Sequence, residues 1–386
     1  MPSSAPFLAD LIGEADRRAA GRDFRGAREA LERAVAAAGD DIELRLKLAA
    51  MCRADGDSGA ALAALSGALR IDPLHFLALM IRANILEQIG DAEAGEAYGR
   101  ALAQRPEGAL PAPIQHMIEH AEARLAVHQA ARLARLETAA RGASASPEDA
   151  AKINRFCRNT ARLSRAYHSE PTDYHYPGLA ELEFHDRSAF PWLARLEAAT
   201  DLIAADFARV MEAEHAQLVP YIQYPDDVPL RQWAALNRSS DWSAIHLWRN
   251  GMRIEANARH CAPTMELLGS LPMPDIAGCS PNAMFSLLAP GAHIPPHVGV
   301  ANTRLVCHLP LIVPGDCWFR VGAETRRWRR GEAWIFDDTI EHEARNESNA
   351  LRVIFIIDIW HPGLSPAARD AVAAVMGADV ARAATE

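Results

Sequence analysis

Two histidines and an arginine in the C-terminal part of the chain have the residue types and spacing for metal chemistry. His297 lies in HIPPHVGVANTRL and His342 in FDDTIEHEARN, each where a strand meets a turn. Neutral imidazole is a good ligand for divalent iron, and two histidines from different strands can converge inside a small barrel. Arg352 follows His342 by ten residues and opens the apolar run LRVIFIIDIW. A guanidinium facing a barrel interior must be paired, because leaving it without an anion is costly. Its planar fork suits a carboxylate held through two hydrogen bonds. Together these residues describe a site where a dicarboxylate meets arginine at one end and a metal at the other. Read singly, they have plainer roles: a histidine hydrogen-bonded beside a strand, or an arginine paired with Asp358 or Glu343. Spacing alone leaves both readings open. Asp337, Asp338 and Glu341, just before His342, are placed either to orient an imidazole or water or to serve as turn and cap residues.

The elements that must position these residues fall into two grammars. From residue 283 onward, short apolar runs alternate with turns, which predicts strands at 283–288, 303–313, 317–322, 325–331, 333–338 and 351–360. Gly315-Asp316, Gly322-Ala323 and Gly331-Glu332 supply the turns. With no helical periodicity between them, such strands argue for a jelly-roll barrel or sandwich and against a doubly wound parallel sheet. Up to about residue 140 the chain reads as helix after helix, with apolar positions three and four apart in IELRLKLAAMCRA and LHFLALMIRANILEQIG. Breaks fall at Gly21, Gly56-Asp57 and Gly90-Asp91, and Gly56 and Gly90 are 34 residues apart. The stretch RGASASPED (141–149) reads as a linker, followed by a helix near 149–166. Residues 168–193, rich in proline and aromatics, read as a leading strand with long loops, and a helix is expected at about 194–214.

Bulk properties bound the answer. At 386 residues the chain is long for one core, and two or three units are expected. A net charge of −10 disfavours general nucleic-acid binding but leaves room for a local arginine pocket. No apolar run approaches the ~18–20 residues of a membrane span. The start, MPSSAPFLADLIGEADRR, lacks a basic leader followed by a long apolar core, so no signal peptide is read. Six cysteines are scattered without a CxxC pair, which fits neither a zinc site nor a disulfide framework. The expectation is a reduced, cytoplasmic protein with mostly buried thiols.

The 34-residue period, with two helices per repeat, resembles the tetratricopeptide repeat, which implies a short solenoid offering a concave surface to a peptide or protein. The run from Ala292 to Ser365 resembles the aspartyl/asparaginyl β-hydroxylase family through HIPPHVGVANTRL, HLPLIVP, RVG, GEAWIFDDTIEHEARN and RVIFIIDIWHP. Weaker resemblance extends back to about residue 170. The resemblance implies an iron(II)- and 2-oxoglutarate-dependent dioxygenase, with Fe(2+) and O2 as cofactors and 2-oxoglutarate as co-substrate. The fold class it implies is α+β and multidomain, an α-helical repeat solenoid followed by a double-stranded β-helix (jelly-roll, cupin-like) oxygenase domain. The expected boundaries are 1–140 for the repeats, 141–167 for a linker and connecting helix, 168–370 for the oxygenase domain and 371–386 for a C-terminal helix or tail.

Carried over by residue, the resemblance implies that His297 and His342 bind iron and that Arg352 and Ser286 hold the distal carboxylate of 2-oxoglutarate. Trp248 and His308 would line the same pocket, and Arg304 would contribute to cofactor binding. Gly299 stands two residues after His297, where related oxygenases carry a carboxylate ligand, and this agrees with the family. Val306 departs from it, standing where members acting on acidic or amide side chains usually carry a second arginine. The implied substrate is an Asp- or Asn-type β-carbon in a peptide or protein bound by the repeats. The alternatives are a free amino acid or a lipid-linked acyl chain, and, from another class, a non-catalytic repeat scaffold. The scaffold reading predicts that His297, His342 and Arg352 do not converge.

Overall fold

The computed structural model describes residues 4–383 apart from 39, 142–146, 214–216 and 226. The chain divides into two compact units, Met1–Ser164 and Arg165–Glu386. The middle of the expected linker, 142–146, and the last residues of the expected tail, 384–386, lie outside the described residues.

The first unit is built from helices in antiparallel pairs: α1 (Ser4–Ala20) with α2 (Phe24–Ala38), α3 (Ile42–Ala54) with α4 (Ser58–Ile71), and α5 (Phe76–Gln88) with α6 (Ala94–Leu102). The long α7 (Ala112–Ala140) packs on α6, and α8 (Pro147–Thr160) on α7. The repeat seen in the sequence has a structural cause. Gly56 and Gly90 end α3 and α5 with positive φ, and the next N–H turns back onto the helix. Asp57 N–H donates to the Cys52 carbonyl at 2.9 Å and Asp91 N–H to that of Leu86 at 2.8 Å. Asp41 and Asp57 cap α3 and α4 through side-chain oxygens. The core between pairs consists of leucines such as Leu31, Leu44 and Leu65 and of alanines such as Ala27, Ala34, Ala61 and Ala68. Small residues there let helix backbones approach closely.

In the second unit, α9 (Leu193–Ala198) and α10 (Thr200–Met211) precede β1 (Leu218–Pro220), β2 (Trp242–Arg249) and β3 (Met252–Arg253). Short helices α11 (Glu255–Ala258) and α12 (Ala262–Leu268) lead to β4 (Ala283–Leu288), β5 (His293–His297), β6 (Arg304–Ile312), β7 (Cys317–Val321), β8 (Glu324–Arg327), β9 (Trp334–Phe336), β10 (His342–Asn346) and β11 (Arg352–Trp360). Helix α13 (Pro366–Ala383) follows. Among the described residues these strands form two antiparallel sheets. The larger has the order β1-β2-β4-β11-β6-β9, with β3 on β2, and the smaller has β5-β10-β7-β8. Neighbours far apart in sequence, such as β4 beside β11 and β5 beside β10, are those of a double-stranded β-helix.

The larger sheet separates two environments. Along β11, Val353, Phe355, Ile357 and Ile359 join the core shared with α9, α10 and α12, while Ile354 and Ile356 face the smaller sheet. Both faces are covered, which explains the continuous apolar run. Strands β2, β5 and β10 escape sequence prediction for related reasons. The first part of β2, WSAI, is buried on both faces without alternation, HIPPH contains two prolines, and HEARN is polar. The segment 168–193 supplies isolated bridges at Ser169, Tyr174 and Phe184 in place of a regular strand. No helix among the described residues is long and apolar enough to cross a membrane.

The tightest approach in the helical unit is at Gly95 of α6, where an added Cβ would lie 2.4 Å from the Cβ of His128 on α7. Gly95→Val is expected to force α6 and α7 apart, costing about 1–3 kcal/mol. Circular-dichroism melts of the full chain should show an earlier helical transition, and an unchanged melt would contradict this packing.

Candidate active site

Strand pairing sorts the inner face of the larger sheet into rows. Trp242, Leu288 and Arg352 lie side by side on β2, β4 and β11. The next row is Ala244, Ser286, Ile354 and Pro310, and the third is His246, Met284, Ile356 and His308. Beyond it stand Asp358 and Val306, and then Arg304 opposite Trp360. Arg352 and Asp358 are thus about 20 Å apart along one strand, at ~3.3 Å per residue. Between this face and the smaller sheet lies a cavity of about 420 Å³, lined by Ser286, His297, His308, His342, Arg304 and Arg352 among others. That volume is in the usual range for a small-molecule site.

The histidine pair is delivered by strand register. His342 and His297 are direct cross-strand partners on β10 and β5, and their ring centroids are 4.0 Å apart. Each Nδ1 faces a main-chain carbonyl, Pro295 at 2.8 Å for His297 and Ile340 at 3.1 Å for His342. A nitrogen facing a carbonyl must carry the proton, so each Nε2 keeps its lone pair. Burial, reinforced by the neighbouring His342, pushes the His297 pKa down to about 3, and burial pushes His342 down to about 4. Both imidazoles are therefore neutral donors at physiological pH. Among the described residues no group of three or more His, Cys, Asp or Glu side chains is arranged to hold a metal.

Arg352 closes one end of the cavity and is 2% exposed. Its Nη1 reaches the Ser286 carbonyl and hydroxyl only at 3.5 Å, its Nε has no partner, and its guanidinium lies 5.0 Å from the centroid of the Trp328 ring. Burial lowers its pKa to about 9. The carboxylates that sequence reading offered as partners are engaged elsewhere: Asp358 with Arg304 at 3.2 Å, and Glu343 with Arg320 and His293. Ser286 is buried and accepts a hydrogen bond from Trp242 Nε1 at 3.1 Å. His308 is buried with an unpartnered Nδ1, and burial, then Arg352 and His342, hold its pKa well below the usual value.

Trp248 requires correction, because it does not line the cavity. Residues 242 and 248 are an even number apart and would share a face in a regular strand, but a bulge between His246 and Trp248 breaks the alternation. Trp248 pairs with Ala283 and packs into the core beneath the helices. Trp242 lines the cavity instead, together with Trp233 and Trp328, and is stacked on Tyr221 at 3.8 Å and lies 6.2 Å from the His297 ring. No sequence signal separated the two, because the bulge exists only in the paired sheet.

Arg304 lies at the opposite end from Arg352, between Asp338 at 3.4 Å and Asp358 at 3.2 Å. Burial works against its charge, but the two carboxylates outweigh this and raise its pKa. Of the acids before His342, only Asp338 lines the cavity. Asp337 accepts from the Thr339 main chain and hydroxyl, a turn role, and Glu341 pairs with Arg165 and Arg320. Asp338 Oδ1 is buried without a partner. Its carboxyl fills the space that a side chain at Gly299 would take, since a Cβ there would lie 2.3 Å from it. The backbone is equally close, with Gly299 N–H donating to the Asp338 carbonyl at 2.6 Å. Gly299→Ala is therefore expected to displace Asp338 and cost about 1–3 kcal/mol. Differential scanning calorimetry of the full chain checks this, and an unshifted transition would refute the steric argument.

Residues 197–362 match the profile of the Aspartyl/Asparaginyl beta-hydroxylase family. The chain is 37% identical over 153 residues to the human Aspartyl/asparaginyl beta-hydroxylase, covering 39% of this chain and 19% of that protein. It is 39% identical over 137 residues to Aspartate beta-hydroxylase domain-containing protein 2 of Xenopus tropicalis, covering 35% of this chain and 37% of the relative. The chain thus spans well under half the length of these animal relatives. Against the Ornithine lipid ester-linked acyl 2-hydroxylase of Rhizobium tropici it is 31% identical over 202 residues, 52% of this chain and 68% of the relative. Likeness over two thirds of that protein, with a profile match running from α9 past β11, makes this chain a member of the aspartyl/asparaginyl β-hydroxylase family.

Proposed function

We propose that the second unit is an iron(II)- and 2-oxoglutarate-dependent hydroxylase that places a hydroxyl on a C–H carbon of its substrate. The observation that carries this is Arg352, a buried guanidinium with no carboxylate in reach among the described residues, sharing one cavity with a pair of neutral imidazoles. The non-catalytic scaffold reading expected these groups to lie apart, and they line one space.

The donor set fits the group. His297 and His342 would hold the metal through Nε2, and Asp338, with its unpartnered oxygen, is suited to orient a water there. Arg352 would hold the distal carboxylate of 2-oxoglutarate, helped by the Ser286 hydroxyl, which Trp242 fixes in place. His308 stays neutral because it is buried near Arg352, so it offers a hydrogen bond without adding charge. Iron(II) with 2-oxoglutarate and dioxygen supplies the oxidising power, the co-products being succinate and carbon dioxide. The chain's task is to hold the co-substrate, keep the imidazoles unprotonated and exclude water with Ile294, Phe319, Phe336 and Ile354.

The cavity wall supports an aliphatic reacting segment, of the kind an acyl chain provides. Val306, Met284 and Ile356 line it beyond the histidines, and Arg304 is already paired with two acids. A second reading, an Asp- or Asn-type β-carbon of a peptide or protein, draws on the helical unit. There Arg53, Met80, Asn84, Tyr98 and His120 line a depression of about 360 Å³ suited to a peptide partner. Six free thiols, five of them buried, support a cytoplasmic location.

Purified protein given ferrous iron and 2-oxoglutarate in air should release succinate, more so with added lysate as substrate source. His342→Ala should abolish release. Arg352→Gln should raise the 2-oxoglutarate concentration needed by roughly tenfold or more, the scale of a lost charge-assisted bond. Unaltered 2-oxoglutarate dependence in Arg352→Gln would remove the assignment.

A further inference from the structure

Three arginines line the cavity, and two are committed. Arg352 faces the proposed co-substrate end and Arg304 is bound to Asp338 and Asp358. The third, Arg249, is the last residue of β2, is exposed, and has no hydrogen-bond or ion-pair partner among the described residues.

Two features of the backbone place it there. In an unbroken strand, residue 249 would share the helix-facing side with Ser243, Ile245 and Leu247. The bulge between His246 and Trp248 shifts the alternation by one, so Arg249 returns to the cavity side. Immediately after it, Asn250 and Gly251 form a tight hairpin turn to β3, both with positive φ (51° and 79°). The turn is fastened by Asn250 N–H to Asn282 Oδ1 at 2.8 Å and by Gly251 N–H to the Pro281 carbonyl at 3.1 Å. A cation with no ion-pair partner among the described residues is thus held beside a hydrogen-bonded turn at the end of the cavity remote from Arg352.

One turn of strand inward, His246 lines the same cavity and its Nδ1 is buried without a partner. Burial, and next the charge of Arg249, lower its pKa to about 4, so it is neutral. Between His246 and the iron-binding histidines the wall includes Met284, Ile356 and Val306, and the charged groups beside them, Arg304, Asp338 and Asp358, are paired with one another.

Resting on the reading of the cavity given above, we propose that Arg249 is a specificity-determining residue that anchors an anionic group, with His246 as its hydrogen-bonding neighbour. The substrate is an acyl chain that carries its anion away from the reacting carbon. The aliphatic stretch runs along Met284, Ile356 and Val306, and its length from the anion selects the carbon presented to the metal site. A carboxylate and a phosphate offer the same oxygens to a guanidinium, and the two are separated by experiment.

The test uses the full chain and follows quenching of its tryptophan fluorescence, since Trp233 and Trp242 line the cavity. Dodecanoate, dodecyl phosphate, dodecanol and an aspartate-containing hexapeptide are titrated into wild type, Arg249→Gln and Arg249→Lys. The anionic chains should bind wild type, and Arg249→Gln should weaken them by roughly tenfold to a hundredfold, with partial recovery in Arg249→Lys. Dodecanol should bind all forms alike. A larger loss for dodecanoate or for dodecyl phosphate identifies which anion the site takes. Equal binding of the anionic chains to wild type and Arg249→Gln overturns the proposal. So does Arg249-dependent binding of the peptide in place of the alkyl anions. A parallel 2-oxoglutarate titration keeps the two readings apart. Loss of that binding in wild type would sink the oxygenase assignment alone, because the alkyl titrations need no co-substrate.

Discussion

Burying a guanidinium without a carboxylate withdraws a charge from water and offers it little in return, a cost of several kcal/mol in real proteins. Arg352 is in that position, with a serine hydroxyl and carbonyl at long range and a tryptophan face beneath it. A fold can carry such a group only when the rest of the structure over-determines it. Arg352 lies on the central β11, bonded on both sides to β4 and β6 and backed by the core under α9, α10 and α12. The folded state is thus built to receive an anion, and anion binding would relieve the strain that the sheet holds in place.

Register turns that one strand into a site. Because side chains alternate, one phase sends Val353, Phe355, Ile357 and Ile359 into the helix-backed core and the other sends Arg352, Ile356 and Asp358 to the cavity. A slip of one residue would exchange the two sets, burying both charges in hydrocarbon. The same logic on the facing sheet pairs His342 with His297 across β10 and β5, so the imidazoles meet without any loop having to be ordered. On β2 the alternation is broken next to the cavity. The β2 bulge removes Trp248 from the cavity and admits Arg249.

Asp338, Gly299 and Arg304 form a second coupled unit. The missing side chain at Gly299 makes space for the Asp338 carboxyl, and Arg304 holds that carboxyl together with Asp358. A glycine where related oxygenases carry a metal-binding carboxylate therefore leaves no hole. A carboxylate arrives there from the strand-connecting segment before β10, supported by an ion pair that also occupies the arginine nearest Val306.

Much of this was legible before folding. The helix pairs announce themselves through Gly56 and Gly90, because a glycine with positive φ follows the first helix of two successive pairs. His297, His342, Arg352, Ser286 and His308 stand out by residue type, spacing and family motif, and all line one cavity. What the sequence by itself determined is which chemical groups are available and which strands carry them, since local pattern and residue type are properties of the chain. Only the tertiary structure decided that Trp242 and not Trp248 supports Ser286, that Asp338 alone of three neighbouring acids reaches the site, that Arg304 is neutralised, and that Arg249 is not. Each of those outcomes depends on cross-strand register and on one bulge. These are set by partners between 34 and 54 residues away or more in the chain, and no local pattern encodes them.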